Sequence, residues 1–467
     1  MKKYLLASAA TALMASAASA GGLDRSNQNS LVVFNDPGEV SFSFGVVTPN
    51  VTGRDTTTNT EYDAAKSYTQ TALSFTGEIN DQLTYTIAFD QPFGVDTSYN
   101  GDPTSDRLAG TLADVNTSAI TGWLRYQVDP RFSVFGGVRA QRLGGTLALN
   151  GQAYAGSFAG LEGGRVIGGY VAGAAQQGST DALTVLGTPE FRTILGGIAT
   201  GQTASLDQAD LATVNTALNN ISGVSVPVGS LTLNSGSAAI STGQTVAGNT
   251  AGPTGTFVSN GGYRAELEDT WAMGYSLGAA YEIPDIALRV ALTYNSEITH
   301  EGKTVESGVS SGGATTDITE VTTPQSINLD FQTGIAADTL LTAGVRWAEW
   351  GSFDVIPPML NSDLADLDDS LRYTVGVARR FSDAFAGSAT ILYEAAQNDD
   401  NVSPLGPTDG LIGITLGGRY ERDGFVFSGG LNYTWVGDAD AGVRETDEAE
   451  FRDNTVVGLG FQVSYTF

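Results

Sequence analysis

Apolar and polar side chains alternate with a period of two through much of this chain. The last stretch shows it most clearly. Val457, Leu459, Phe461, Val463, Tyr465 and Phe467 are apolar, while Gly458, Gly460, Gln462, Ser464 and Thr466 are small or polar. Successive side chains of a strand point to opposite faces, so such a segment has one apolar and one polar face. The same rhythm recurs over 39–51, 67–79, 83–89, 118–128, 132–143, 271–281, 286–298, 327–335, 340–350, 371–381, 385–393, 411–420, 425–435 and 457–467. Fourteen strands are therefore predicted. The connections between them alternate strictly. Short ones such as Asn80-Asp81-Gln82, Asp129-Pro130-Arg131 and Glu421-Arg422-Asp423-Gly424 carry residues that tight hairpins require. Each intervening connection is long and polar, acidic or Gly-rich. A soluble β-protein has no reason to keep all its long loops at one end. An outer-membrane barrel has short periplasmic turns, long external loops and an even strand number. The expected fold is all-β: a 14-stranded antiparallel transmembrane β-barrel over 39–467.

Aromatic and charged positions fit that orientation. Trp271, Tyr294, Trp347, Trp350, Tyr433 and Trp435 fall near the outer strand ends, and Tyr126, Phe132, Tyr281, Phe381, Phe385, Tyr420, Phe425 and Phe467 near the periplasmic ends. Two interfacial belts are expected. Parity sends Arg125, Arg139, Arg289, Arg346, Arg372, Arg380 and Arg419 into the lumen, with Asp90, Glu297 and Asp330. An arginine facing lipid at the midplane would cost about 2–4 kcal/mol. Arg142 and Arg379 face outward, close to strand ends. The lumen charges either pair across the barrel and hold its shape, or present an inward arginine to a ligand carboxylate.

Two stretches leave the strand rhythm. Residues 21–38 carry Leu23, Leu31, Val32, Val33 and Phe34 and are long enough for a plug in the lumen. Residues 144–262 are rich in Gly, Ala, Ser and Thr but contain helical signals. Thr188-Pro189-Glu190 reads as an N-cap followed by Pro at the first helical position. Ser205 and Gln208 have capping-box spacing, ahead of Leu211, Val214, Leu218 and Ile221 on one helical face. A connection of this length is functional or disordered in a compact protein. It is expected to form a partly helical cap over the outer mouth. Its apolar surface, around Ile194, Leu195, Leu211 and Leu218, either captures a hydrophobic ligand or is buried inside the cap.

The remaining composition narrows the class. Lys2 and Lys3 precede an apolar Ala-rich stretch and the small-residue site Ala18-Ser19-Ala20, so residues 1–20 read as a signal peptide with the mature chain starting at Gly21. Absence of cysteine excludes a disulfide framework and a lipidated N-terminus. Outside that region there is no run of about 18 apolar residues, which excludes membrane helices. A net charge of −28 argues against nucleic acid as partner. The acidic loop with Asp363, Asp366, Asp368 and Asp369 lacks the spacing of a defined calcium loop. It is read as a solvated cluster, with bridging divalent cations on a lipopolysaccharide surface as the other reading. The only histidine, His300, stands at the outer end of the seventh strand outside any catalytic motif, so neither an enzyme nor a cofactor is expected.

Several stretches resemble the FadL/TodX family of outer-membrane transporters for long-chain fatty acids and other hydrophobic compounds. They are Tyr281-Glu282-Ile283-Pro284-Asp285 leading into Leu292–Ile298, Thr323–Leu329, Val345–Phe353 and Leu124–Arg139. The C-terminal aromatic strand is similar to the signal that addresses such proteins to the barrel-assembly machinery. The resemblance implies a plugged, monomeric barrel with a helical external region. A hydrophobic ligand would be caught near the outer loops and leave sideways through a gap in the wall. That gap would correspond to Asp90-Gln91-Pro92-Phe93-Gly94, where alternation lapses and Pro92 removes a ladder hydrogen bond. The segment 21–38 is shorter than the family's hatch and has Asn35-Asp36-Pro37 in place of its Asn-Pro-Ala signature. An apolar slot with a cationic partner suits a fatty acid. Arg139, then Arg125, is the expected head-group contact. A general diffusion porin with an open lumen is the alternative.

Overall fold

The structure is a computed structural model describing residues 23–189, 191–203, 206–308, 314–365, 367–397, 402–444 and 446–467. Its main sheet has seventeen strands. They are β1 (Glu39–Asn50), β2 (Tyr68–Asn80), β3 (Leu83–Asp90), β4 (Gly94–Ser98), β5 (Leu112–Gln127), β6 (Phe132–Leu149), β7 (Tyr263–Ile283), β8 (Leu288–Asn295) and β9 (Ile298–Ser307). After these come β10 (Thr315–Thr323), β11 (Ser326–Ala336), β12 (Thr339–Ala348), β13 (Ser370–Arg380), β14 (Phe385–Glu394), β15 (Leu411–Arg422), β16 (Phe425–Val436) and β17 (Thr455–Thr466). Three walls are interrupted, at β3/β4, β8/β9 and β10/β11, so the strands make fourteen walls. Each wall pairs antiparallel with its neighbours. β1 pairs with β17 from Glu39↔Thr466 to Asn50↔Thr455, which closes the sheet into a barrel.

All fourteen predicted segments lie on these walls. The strands reach further outward than the alternation showed. β5 begins at Leu112, β6 runs to Leu149 and β7 starts at Tyr263, so the insertion starts near residue 150, not at 144. Gly144 and Gly145 interrupt the apolar rhythm without interrupting the ladder, where they pair with Asn116 and Val115. Ile286, taken as the start of the seventh strand, belongs to a 3-10 turn, Pro284–Ile286.

The outer face supplies the lipid contact. Val138, Leu277, Val375, Leu431 and Leu459, on walls all around the barrel, are 50–62% exposed. Such a continuous apolar band belongs in a bilayer. Among the described residues no helix is long and apolar enough to cross a membrane; the strands do the crossing. The periplasmic belt is formed as expected, with Tyr126, Phe132, Tyr281, Phe381, Phe385, Tyr420, Phe425 and Phe467 all exposed. At the outer belt Trp271, Tyr433 and Trp435 are exposed, but Trp350 is wholly buried. It lies past the end of β12 in a 3-10 turn, where strand parity no longer applies, and packs edge-on against Phe93 and Phe353. Glu297 likewise departs from its expected inward position. It occupies the β8/β9 interruption and is exposed.

Residues 150–262 fold into the external cap. It holds α1 (Gln152–Gln176), α2 (Thr180–Leu186), α3 (Phe191–Thr200), α4 (Gln208–Asn220), α5 (Gly236–Thr250) and a hairpin of Ser222–Val228 with Leu231–Ser235. The Gly and Ala content that reads as loop serves helix contact instead. A Cβ on Gly163 of α1 would come within 2.6 Å of the Gly243 carbonyl oxygen of α5. α4 is capped by Asp207, whose carboxylate accepts from the Ala209 and Asp210 amides at 2.8 and 3.1 Å. Ser205, read as a capping residue, and Glu190 lie outside the described residues, as does the signal peptide. A second sheet of Thr52–Asp55, Glu61–Asp63, Ala439–Val443 and Thr446–Phe451 covers part of the rim.

If this band faces lipid, Leu431→Arg should destabilise the barrel by about 2–4 kcal/mol. Phe381→Arg at the periplasmic rim should cost about 0–1 kcal/mol. Reversible denaturant unfolding in lipid vesicles measures both.

Candidate functional site

The segment from Leu23 to Gly38 runs through the lumen and is bonded to inward-facing residues of widely separated walls. The Asp24 carboxylate accepts from Arg346 Nε and Nη2 at 2.9 and 2.8 Å. Asn27 Oδ1 accepts from Arg372 Nη1 at 2.7 Å, and Gln28 Oε1 from Ser326 Oγ at 2.6 Å. Ser30 and Thr293 share a hydrogen bond at 2.8 Å. Further down, a 3-10 turn at Leu31–Phe34 buries Val33 against Trp123, Phe135, Ala280 and Ala291. The Phe34 ring lies between the guanidinium groups of Arg125 and Arg289, at 4.6 and 4.3 Å. Polar residues that leave the segment with no strand or helix pattern thus each take a partner on the wall.

The upper end of this segment meets the interrupted third wall. β2 and β3 stay in register only as far as Leu73↔Phe89. Past that point the Thr71 N–H is bonded by a side chain, Gln91 Oε1 at 2.8 Å. On the lumen side, the Pro92 carbonyl accepts from the Arg25 amide at 2.8 Å, and the Gly94 amide donates to the Leu23 carbonyl at 2.8 Å. The N-terminal segment therefore adds a short antiparallel piece to the break. Ser26 Oγ donates to Asp90 Oδ2 at 2.6 Å, and Arg25 pairs with Asp96 at 2.7 Å. A Cβ on Gly94 would come within 2.5 Å of the Arg25 guanidinium carbon. Asp90, Pro92 and Gly94, singled out from the sequence, all contact this one segment.

Two cavities flank it. The outer one is lined by Leu23, Leu143, Leu147, Val321, Phe353 and other mostly apolar side chains. The second is polar on its lumen side, where Ser26, Ser74 and Arg139 line it. It also reaches Leu73 and Phe89, whose side chains face outward. This cavity lies beside the place where β2 and β3 part. Arg139 is 3% exposed. Its Nε donates to Thr121 Oγ1 at 3.0 Å, and its Nη1 has no hydrogen-bond partner among the described residues. A chamber of the first kind accepts an apolar chain, and a buried guanidinium with a spare N–H accepts an anion.

The other sequence-identified residues are placed differently. Arg125 lines neither cavity; it pairs with Glu282 at 2.5 Å near the periplasmic end. Ile194, Leu195, Leu211 and Leu218 are 0–8% exposed and pack into the cap's own core with Val214 and Ile198. Their apolar surface is used up in folding the cap, and none lines the chamber. His300, at the outer end of its wall, is completely buried because β9 turns it into the lumen. Of the acidic loop, Asp363 Oδ1 accepts from the Val355 and Ala365 amides, and Asp369 accepts from Trp347 Nε1 and the Gly351 amide. These carboxylates hold their own loop. Asp366 lies outside the described residues. Trp350 and Phe353, packed with Leu23 and Phe93, are not recognisable as site residues in the sequence because none of the first three sits on a regular strand.

Residues 3–467 match the family described as outer membrane protein transport protein (OMPP1/FadL/TodX). The chain belongs to this family. Its fold is that of a FadL homologue from Pseudomonas aeruginosa, with a TM-score of 0.59 at 13% identity over 96% of each chain. It is also that of the Pseudomonas putida toluene transporter TodX, with a TM-score of 0.55 at 13% identity over 98% of each chain. The Ralstonia pickettii toluene transporter TbuX gives 0.50 at 14% identity, covering 93% of this chain and 90% of that one. No curated protein matches in sequence. As a FadL/TodX member, the barrel is an outer-membrane transport protein.

The buried Asp24–Arg346 pair seats the upper end of the N-terminal segment. Removing one partner of such a pair costs about 3–5 kcal/mol, because the other charge stays buried. Asp24→Asn should therefore loosen the segment and raise ion conductance in planar bilayers.

Proposed function

We propose that this protein takes up hydrophobic small molecules, fatty acids among them, and releases them sideways into the outer membrane between β2 and β3. The observation that carries this reading is the pair of cavities on either side of Leu23–Ser26. One is lined almost wholly by apolar side chains, and the other borders the place where β2 and β3 part. A ligand entering the chamber would leave water early. It would then move past the N-terminal segment to the break at Asp90–Gly94 without crossing the polar lower lumen. Arg139 would receive a carboxylate on the way, its Nη1 supplying the donor and Thr121 holding its Nε. The substrates of TodX and TbuX, named as toluene transporters, suggest aromatic hydrocarbons as a second class. The N-terminal segment would act as a plug, which disfavours an open diffusion porin. Residues 1–20 would be removed during export, giving a mature mass that starts at Gly21.

Lateral release is tested by closing the gap. The chain has no cysteine, so Thr71→Cys with Gln91→Cys introduces the only pair. Cross-linked with a short reducible reagent, this variant should lose uptake of labelled dodecanoate by cells and regain it on reduction. Undiminished uptake in the cross-linked state would overturn the sideways route. Arg139→Ala should weaken dodecanoate binding about ten-fold or more, since hydrogen bonds to charged groups contribute about 1.5–3 kcal/mol. Dodecane binding should change far less, and equal losses for both ligands would remove the head-group role.

A further inference from the structure

One row of lumen-facing residues crosses four neighbouring walls beside the break. Ser41 of β1 is in register with Ser74 of β2, and Ser74 with Ala88 of β3. Ala88 is in turn opposite Thr121 of β5, and Thr121 opposite Arg139 of β6. Residues directly opposite one another share a face of the sheet, and all five line the second cavity. Arg139 Nε donates to Thr121 Oγ1 at 3.0 Å, so the guanidinium leans from β6 over β5. Beyond it the row continues with a methyl group and two hydroxymethyl groups, and these small side chains leave the lumen open there.

The two ends of this row offer different chemistry. Arg139 Nη1 has no hydrogen-bond partner among the described residues. Ser41 Oγ and Ser74 Oγ are bonded to each other at 2.6 Å. One hydroxyl of such a pair donates to the other, so the pair keeps one hydrogen to donate and lone pairs to accept. It suits a group that both donates and accepts. A carboxylate has no hydrogen to give, and an alkyl tail laid against the pair would remove its water without replacing the bonds. Thr121 and Ser74 are two strand spacings apart, about 10 Å. Asp90 also lines the cavity, two residues along β3 from Ala88 on the same face, with Oδ2 bonded by Ser26. Its charge repels an anion and leaves the Arg139 end as the place for one.

We propose that the second cavity takes the head of an N-acyl amino acid, its carboxylate on Arg139 Nη1 and its amide on the Ser41–Ser74 pair. This rests on the uptake reading and names a head group larger than the carboxylate of a simple fatty acid. The amide carbonyl accepts the hydrogen that the pair has left, and the amide N–H donates to a serine oxygen. In an N-acylglycine a single carbon separates the carboxylate from the amide nitrogen, so both groups fit within one short head. The acyl chain continues towards Leu73 and Phe89, the outward-facing residues that line the cavity at the break. A simple fatty acid uses the guanidinium and leaves the donating and accepting pair without its full complement.

Equilibrium binding of N-dodecanoylglycine and of pentadecanoate, its length-matched fatty acid, to the whole protein in lipid nanodiscs tests this, with empty nanodiscs as the correction. Ser41→Ala combined with Ser74→Ala removes both partners of the pair, a change that leaves no buried group unsatisfied and is nearly neutral for folding. It should weaken N-dodecanoylglycine about five- to ten-fold and pentadecanoate by less than about two-fold. Equal changes for the two ligands would overturn the amide subsite. A second measurement needs no substitution. N-dodecanoyl-N-methylglycine lacks the amide hydrogen and should bind the unaltered protein about five-fold more weakly than N-dodecanoylglycine; equal affinities would again overturn the proposal. Pentadecanoate binding with no role for the serines leaves the uptake reading standing, whereas binding of neither ligand overturns both.

Discussion

Lipid offers no hydrogen-bond partner, so every main-chain amide and carbonyl in the wall must be bonded within the protein. Closure of β1 onto β17 meets that demand around the circumference. It also makes any interruption expensive, and the break after Asp90 has to be completed from elsewhere. Pro92 has no N–H to offer, which removes one demand. Gln91 bonds the Thr71 amide, and the Leu23 carbonyl and Arg25 amide serve Gly94 and Pro92. The N-terminal segment is thus part of the wall's hydrogen-bond pattern as well as an occupant of the lumen.

Charge in the lumen is arranged around the same segment. Arg346 is committed to Asp24, Arg372 to Glu394 and Asn27, and Arg125 to Glu282. Of the two readings open to inward arginines, pairing accounts for these three. Buried pairs of this kind say little about net stability but fix where a segment sits. Arg139 differs because its hydrogen-bond partner is a neutral threonine, and its Nη1 stays unbonded among the described residues. That difference singles it out in a lumen otherwise well supplied with cations.

Alternation made the walls, their order and the periplasmic turns legible, since burial on one face and lipid on the other impose period two wherever the strand is regular. Where regular strand ends, parity loses its meaning. Trp350 and Glu297 were misplaced for that reason, one turning inward from a 3-10 turn and the other outward at an interruption. The cap was legible as helix but not as a packed unit. Its Gly and Ala residues look like loop composition until Gly163 and Gly243 are seen face to face. Ile194 and Leu211 carried the apolar periodicity of a helix, which cannot distinguish a ligand-binding face from a core-packing one. The third-wall break was legible because Pro leaves a mark in sequence. The partner that completes it, Leu23 to Ser26, left none, because main-chain bonding is indifferent to side-chain type.

The close spacing along that partner bears on how the cavities communicate. Leu23 lines the apolar chamber and Ser26 lines the second cavity, only three residues further on. Between them, Asp24 is held by Arg346, and Arg25 by Asp96 and the Pro92 carbonyl. Across the break, Phe93 is buried with Leu23, Trp350 and Phe353 in one cluster. Any displacement of Leu23 that opens the chamber floor must therefore pull on the bonds to Pro92 and Gly94. Loss of those bonds in turn strips the break of its lumen-side partner. On the proposed route the floor of the chamber and the edge of the wall opening are the same few residues, so one cannot move while the other stays in place.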